Sequence, residues 1–239
     1  MAQRKGKASN DNDEIVDVQE ISGTTQQSWY SKITSEQFIE ENQKTITYIT
    51  GAIALIALLY FGYKYLYIGP KEKAAITAMY KAETQFAQDS FALALENPGG
   101  GFEGFLDIIS NYKGTKAANL AKYYAGVCYL NLGKFQEAVD YLEDYSAKDE
   151  ITSISKSGAL ADAYAELGNN DKAVSLYKKA AGGTENDVLT PYYLNKLAMW
   201  HYAQGQEKEA LEYFEKIKSK FPEAQEARDA EKFITRYQQ

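Results

Sequence analysis

A pattern that recurs about every 34 residues runs through the C-terminal half of the chain and limits the possible folds more than any other feature. In each copy a small residue stands seven positions before a glycine, and an alanine stands five positions after it. Glycine in the left-handed conformation ends a helix, and small residues let a second helix approach closely. One helix pair cannot bury its apolar face alone, so the copies must stack. The copies are residues 119–152, 154–187 and 191–224, and their glycines are Gly133, Gly168 and Gly205.

This pattern resembles the tetratricopeptide repeat, in which bulky residues fill the space beside the small ones. The eleventh positions hold Tyr129, Tyr164 and His201, and the twenty-fourth positions hold Leu142, Tyr177 and Phe214. The resemblance implies an all-α fold with a tetratricopeptide-repeat α-solenoid. We assign a degenerate first helical hairpin to residues 71–117, three repeats to 119–224 and a capping helix to 225–239. The first helix of that hairpin is predicted to run from Lys71 to Glu96.

An apolar stretch over residues 45–68 precedes the repeats. It contains no charged residue from Thr45 to Tyr63, and about 20 apolar residues suffice for a helix to cross a bilayer core. Tyrosines lie near its ends, as at membrane interfaces, and Lys64 can extend its ammonium group to the lipid headgroups. A soluble core helix and a cleaved signal peptide are the alternatives, but core helices rarely run this long without charge, and no cleavage site follows. The predicted anchoring residues of a single transmembrane helix are Ile46, Ile49, Ile53, Leu55, Ile56, Leu58, Leu59, Phe61 and Lys64.

The remaining composition contains little that points to catalysis. Residues 1–44 are polar and are predicted to form a disordered tail. A net charge of −7 argues against a polybasic nucleic-acid surface. The single cysteine, Cys128, excludes an intrachain disulfide, and no histidine or second cysteine supports it as a nucleophile. His201 falls at a packing position of its repeat. We therefore expect a protein that is not an enzyme and that needs no cofactor or metal.

The order of polar tail, one span and helical repeats resembles the YfgM-like family, especially its Bacteroidota-type members. The most specific segment is GFLDIISNYKGTKAANLAKYYAGVCYLNLG, residues 104–133. Members of that family are ancillary subunits of the bacterial Sec translocon. The lysines near the span do not favour either orientation, whereas the resemblance implies a single-pass inner-membrane protein with a cytoplasmic N-terminus and periplasmic repeats. The implied partners are the SecY-E-G translocon, a PpiD-like membrane-anchored chaperone and exported polypeptides.

Tetratricopeptide repeats bind protein segments in a concave groove that is lined by the first helix of each repeat, and this resemblance implies a similar groove here. Its residues would be Leu120, Tyr123, Val127, Asn131, Asp162, Glu166, Tyr192, Asn195, Met199 and Tyr202. Such a groove suits apolar or basic extended segments. The main hypothesis is a non-catalytic, membrane-anchored protein that assists export of newly translocated proteins together with the translocon and periplasmic chaperones. The alternative is an envelope scaffold that organises cell-wall or outer-membrane assembly partners through the groove.

Overall fold

The computed structural model describes residues 36–183 and 186–237, so most of the predicted tail lies outside the described residues. Every regular element in the described residues is helical, and one short π-helical segment, Tyr63–Ile68, follows the second α-helix. The α-helices are α1 (Glu36–Glu41), α2 (Gln43–Gly62), α3 (Gly69–Ala87), α4 (Phe91–Glu96), α5 (Phe105–Asn111), α6 (Lys116–Asn131), α7 (Phe135–Asp144), α8 (Glu150–Glu166), α9 (Asn170–Ala181), α10 (Leu189–Ala203), α11 (Glu207–Lys220) and α12 (Gln225–Tyr237).

Helix α2 belongs to a compact unit that ends at Tyr63, and it contains most of the predicted anchoring residues. No residue of α2 is buried, whereas a soluble core helix would be largely buried. The hydroxyls of Thr47 and Thr50 donate to the carbonyls of Gln43 and Ile46, at 2.7 and 2.8 Å, and so are satisfied within the helix. Among the described residues, one helical stretch is long and apolar enough to cross a membrane, by length and composition.

Residues from Lys64 onward form a second compact unit, in which the helices pack as successive pairs. Helix α6 pairs with α7, α8 with α9 and α10 with α11, and α12 packs against the last pair. The glycines that end the first helices of these pairs have φ between 72° and 74°, as the repeat pattern requires. The repeated packing confirms the all-helical architecture of stacked helix pairs that the pattern predicts.

The core of this second unit consists of two clusters of buried apolar side chains. One cluster joins α3 to α6 and has Phe105 and Ile108 fully buried in it. The other joins α7 to α12 and contains Phe214, which is also fully buried. Between them, the rings of Tyr129 on α6 and Tyr141 on α7 stack with their centroids 5.3 Å apart. The repeat unit therefore has a core in two parts, which meet near α6 and α7.

The segment predicted as one long first helix is divided in the structure. Helix α3 ends at Ala87 and α4 begins at Phe91, because Asp89 adopts a φ of 56°. The amide of Ser90 then donates to the carbonyl of Gln85 at 2.9 Å and closes the end of α3. An aspartate tolerates this left-handed conformation better than most residues. The turn lets Phe91 fold back against Phe86, with ring centroids 5.6 Å apart.

Candidate protein-binding groove

Side-chain contacts connect the first helices of successive pairs across the repeat unit. Each link joins one first helix to the next, and the last link joins α10 to α12. The links are direct packing of α6 on α8, an ion pair of 2.6 Å between Lys196 Nζ and Asp162 Oδ1, and ring packing of Tyr202 on Phe233 with centroids 5.3 Å apart. We call the surface formed by these linked helices the inner face.

The ten residues predicted to line the groove are all partly accessible, but the structure brings only some of them together. Asp162 and Tyr192 both contact Lys196, and Tyr202 lies one helix turn beyond Met199. The Asn131 amide donates instead to the carbonyl of Val127 on its own helix, at 2.8 Å. The half-buried members are Leu120, Tyr123, Val127, Asp162, Asn195 and Tyr202, and the exposed members are Asn131, Glu166, Tyr192 and Met199.

Asp162 is the centre of a polar cluster on the inner face. Its carboxylate accepts two hydrogen bonds from Lys196 Nζ, at 2.6 and 2.7 Å, and a third from the Tyr177 hydroxyl. The same ammonium group lies 5.4 Å from the centre of the Tyr192 ring. The Lys196 and Asp162 side chains retain 30% and 26% of their accessible surface. The charge of Asp162 is therefore largely neutralised within the protein and is not available to attract a basic partner.

The electrostatics of this cluster shift the pKa values of the groups around the carboxylate. Burial tends to lower the pKa of Lys196, but the hydrogen bonds and the charge of Asp162 outweigh it and raise the value. Burial, followed by the hydrogen bond to Asp162, raises the pKa of Tyr177. Both groups therefore keep their protons well into the alkaline range, and the cluster stays intact at neutral pH.

A glycine in α8 makes room for an aromatic ring from α10. A Cβ atom on Gly158 would overlap the ring of Tyr193, which is almost completely buried. Gly158 occupies one of the positions that line the groove in tetratricopeptide repeats, so at this point the groove is filled from within by Tyr193. Burial also raises the pKa of the Tyr193 hydroxyl. This ring fixes the spacing between α8 and α10.

Beyond the filled position, α10 presents an accessible stripe. Tyr192 and Met199 are 42% and 40% exposed. Between them, Asn195 has a buried Oδ1 atom with no hydrogen-bond partner among the described residues. A buried acceptor without a donor costs about 1–3 kcal/mol. The stripe continues to Tyr202, beside a cleft of about 130 Å³ that is also lined by Phe233 and Tyr237. The stripe therefore combines exposed apolar area, one unsatisfied acceptor and an adjoining apolar cleft.

Cys128 and His201, the two residues considered for catalysis, both lie buried in the packing between helices. Burial raises the pKa of the Cys128 thiol to about 12, so it stays protonated at neutral pH and is a poor nucleophile. His201 Nδ1 lies 2.6 Å from Gln206 Oε1, and the imidazole stacks on Tyr213. These contacts fit the packing role that the repeat pattern predicts for His201.

Sequence reasoning missed Lys196, which binds Asp162, and the polar role of Tyr177. Lys196 is the only lysine, arginine or acidic residue in α10, and a lone charge in an otherwise apolar helix is a signal of a buried partner. Tyr177 was predicted as a packing residue, and its ring is buried as expected. Nothing in the local sequence indicates that its hydroxyl reaches the preceding helix.

A comparison with protein families identifies one match. The family model described as "T7SS, ESX-1 secretion system protein EccA1, N-terminal domain" matches residues 72–232, which is most of the second unit. No curated protein matches the chain.

This match overturns the identification as a YfgM-like protein and what followed from it. The assignments to the Sec translocon and the periplasm are wrong, and so are SecY-E-G and the PpiD-like chaperone as partners. The envelope-scaffold alternative has no support either. The physical reason is that stacked helix pairs share the same small-residue and glycine spacing in many families. An apolar helix before such repeats does not distinguish among them. The predicted orientation of the chain across the membrane rested on that resemblance alone and therefore no longer has support.

Proposed function

The chain belongs to the family of the EccA1 N-terminal domain, and we propose that it is a non-catalytic, membrane-anchored helical-repeat protein that binds a partner segment on its inner face. We interpret its helix pairs as tetratricopeptide-type repeats. The family takes its description from ESX-1, a type VII secretion system. We therefore propose that the partner belongs to a secretion system of that kind, or is a protein that such a system handles.

The accessible stripe of α10 is the observation on which the binding proposal rests. Its exposed apolar side chains, Tyr192 and Met199, gain stability when a partner covers them. Asn195 Oδ1 is buried beneath them, so a docked segment contacts the two exposed side chains rather than this oxygen. Asp162 is held by Lys196 and adds little attraction for positive charge. The segment that fits is therefore apolar rather than strongly basic.

Photocrosslinking in native membranes tests this proposal. We expect a photoreactive phenylalanine analogue at Met199 of the full chain to crosslink to a protein component or substrate of a secretion system. The same analogue at Ser175, an exposed residue of the second helix α9, is the control. Because only the inner face has the stripe, the yield at Met199 should exceed that at Ser175 by about tenfold or more, since hot-spot contacts are worth about 2 kcal/mol.

A double variant shows whether the side chains of the stripe cause the crosslinking at Met199. Asn195→Ala and Tyr192→Ala together truncate two stripe residues near Met199; the second change also removes the ring beside Lys196 but leaves the hydrogen bonds from Lys196 to Asp162 in place. We expect the crosslinking yield from Met199 to fall several-fold in this double variant. Equal yields at Met199 and Ser175, or an unchanged yield in the double variant, would contradict binding at the inner face.

We also propose that residues 45–68 form a single membrane span in the bacterial inner membrane. The chain should then sediment with membranes and resist extraction by alkaline carbonate. Deletion of residues 1–63, at the boundary between the two compact units, removes the exposed apolar helix α2 and should leave a soluble helical protein. Membrane fractionation and circular dichroism of both forms provide the measurement. Carbonate extraction of the full chain would refute the span, and an unfolded truncated form would refute the independence of the repeat unit.

A further inference from the structure

Lysines that are distant in sequence meet at the end of the repeat unit that follows the apolar stretch. Residues 64–73 contain three lysines and one carboxylate, and residues 112–118 add two lysines and no acid. We call these five residues the lysine cluster; they are Lys64, Lys71, Lys73, Lys113 and Lys116. They belong to two segments that contact each other, in a chain whose net charge is −7.

Three hydrogen bonds hold the two segments together. Lys71 Nζ donates to the carbonyl of Lys113 at 3.3 Å. The carboxylate of Glu72 accepts from the amides of Lys116 and Ala117, at 2.6 and 3.0 Å, and so caps the N-terminus of α6. Lys113 and Lys116 therefore stay beside the first turn of α3. Their side chains are exposed.

The cluster also lies close to the end of the proposed span. Lys71 follows Ile68 by three residues, so their Cα atoms are no more than about 11 Å apart. The last residues of the proposed span, 63–68, contain exposed rings of the kind found at membrane interfaces, and Lys71 Nζ lies 5.6 Å from the Tyr67 ring centre. The carboxylates of Glu72 and Glu103 near the cluster accept hydrogen bonds. Asp144 and Asp149 line a cleft with Lys113 and Lys116, and Lys122 and Lys148 in the same cleft offset their charge. The cluster therefore has a net positive charge.

We propose that the lysine cluster binds the anionic headgroups of the lipid surface next to the span. This rests on the proposed span, because the span sets the distance to the membrane. Each lysine near an anionic surface strengthens the association by about fivefold at physiological salt. The surface would hold the α5–α6 loop and the start of α3 against the lipid, and the bonds to Glu72 would transmit that position to α6.

Energy transfer in reconstituted vesicles tests the inference with the full chain. Ser110→Cys places an exposed thiol on α5 for a fluorescent donor, whereas Cys128 is buried and stays unlabelled. The acceptor is a rhodamine-labelled headgroup lipid. We expect transfer to rise when phosphatidylcholine vesicles receive about 30 mol% phosphatidylglycerol, and to fall again in about 0.5 M salt, where charge attraction is screened.

Charge-reversal variants distinguish the cluster from the general charge of the protein. Lys113→Glu with Lys116→Glu should lower the ratio of docked to undocked protein in anionic vesicles by more than about tenfold. Lys208→Glu with Lys216→Glu makes the same charge change on exposed positions of α11 and should leave the transfer unchanged. Transfer that does not depend on phosphatidylglycerol, or that falls equally in both pairs, would overturn the inference. Vesicle flotation separates the proposed span from the proposed headgroup site. A protein that floats with the vesicles, but whose energy transfer does not depend on the lipid, has the span and lacks the headgroup site.

Discussion

Replacement of Gly158 by alanine is expected to lower the free energy of unfolding by about 1–3 kcal/mol, the cost typical of an overpacked core. The added Cβ atom overlaps the buried ring of Tyr193, which must leave its place between α8 and α10. In an open site the same change would raise stability, because alanine favours the helix by up to about 1 kcal/mol over glycine. The expected sign is thus opposite to that given by helix propensity. Urea unfolding followed by circular dichroism measures the change.

A double-mutant cycle tests whether the overlap with Tyr193 is the cause. Tyr193→Ala removes the ring, so it should cost less in the Gly158→Ala background than in the unchanged chain, with a coupling of about 1 kcal/mol or more. Ser175→Ala, an exposed change in α9, provides the control and should have little effect. Additive effects of the Gly158 and Tyr193 changes would show that the ring does not occupy this position.

Stability is expected to fall steeply at alkaline pH. Burial raises the pKa of Cys128 to about 12 and also raises the pKa values of Tyr177 and Tyr193. The unfolded chain loses these protons first, the thiol near pH 8.5 and the tyrosines near pH 10. Between those values and the folded-state pKa values the folded state binds more protons, so the free energy of unfolding decreases as pH rises. Each group contributes about 1.4 kcal/mol per pH unit, and the three together contribute about 4 kcal/mol per unit above pH 10.

Variants separate the contributions of these groups by pH range. Between about pH 8.5 and 10 the thiol should be the main contributor, so Cys128→Ala should remove most of the pH dependence there. Above pH 10, Tyr177→Phe should reduce the slope by about 1.4 kcal/mol per unit. Tyr80→Phe alters a ring that is 72% exposed and should leave the slope unchanged. Urea unfolding at intervals from about pH 7 to about pH 11 measures the slopes. A flat profile for the unchanged chain would contradict the burial of these groups.

The stacked helix pairs could be predicted because their determinants are local. Gly133, Gly168 and Gly205 end helices through their own backbone conformation, and small residues at fixed distances from them allow close packing. The break at Asp89 could not be predicted in the same way. No glycine or proline marks it, and it depends on the return of Phe91 against Phe86.

The candidate site was predictable as a set of helix positions but not as a set of contacts. The repeat pattern identifies Asp162 and Tyr192 as groove positions, yet their common contact with Lys196 depends on how α8 and α10 are spaced. That spacing is set by Tyr193 against Gly158, and a glycine inside a helical pattern was the available signal. The family was misidentified because spacing rules describe a packing geometry that many families share.

The divided core has a mechanical consequence for an anchored protein. If the chain is held at its span, a pulling force enters the repeat unit through α3, which belongs to the cluster of α3 to α6. That cluster meets the remaining helices near the stacked rings of Tyr129 and Tyr141. Load is therefore borne first by the smaller core, which includes α6. The rest of the inner face, on α8, α10 and α12, belongs to the larger core. Tension at the anchor can be absorbed by the first helices before it distorts the surface that holds a partner.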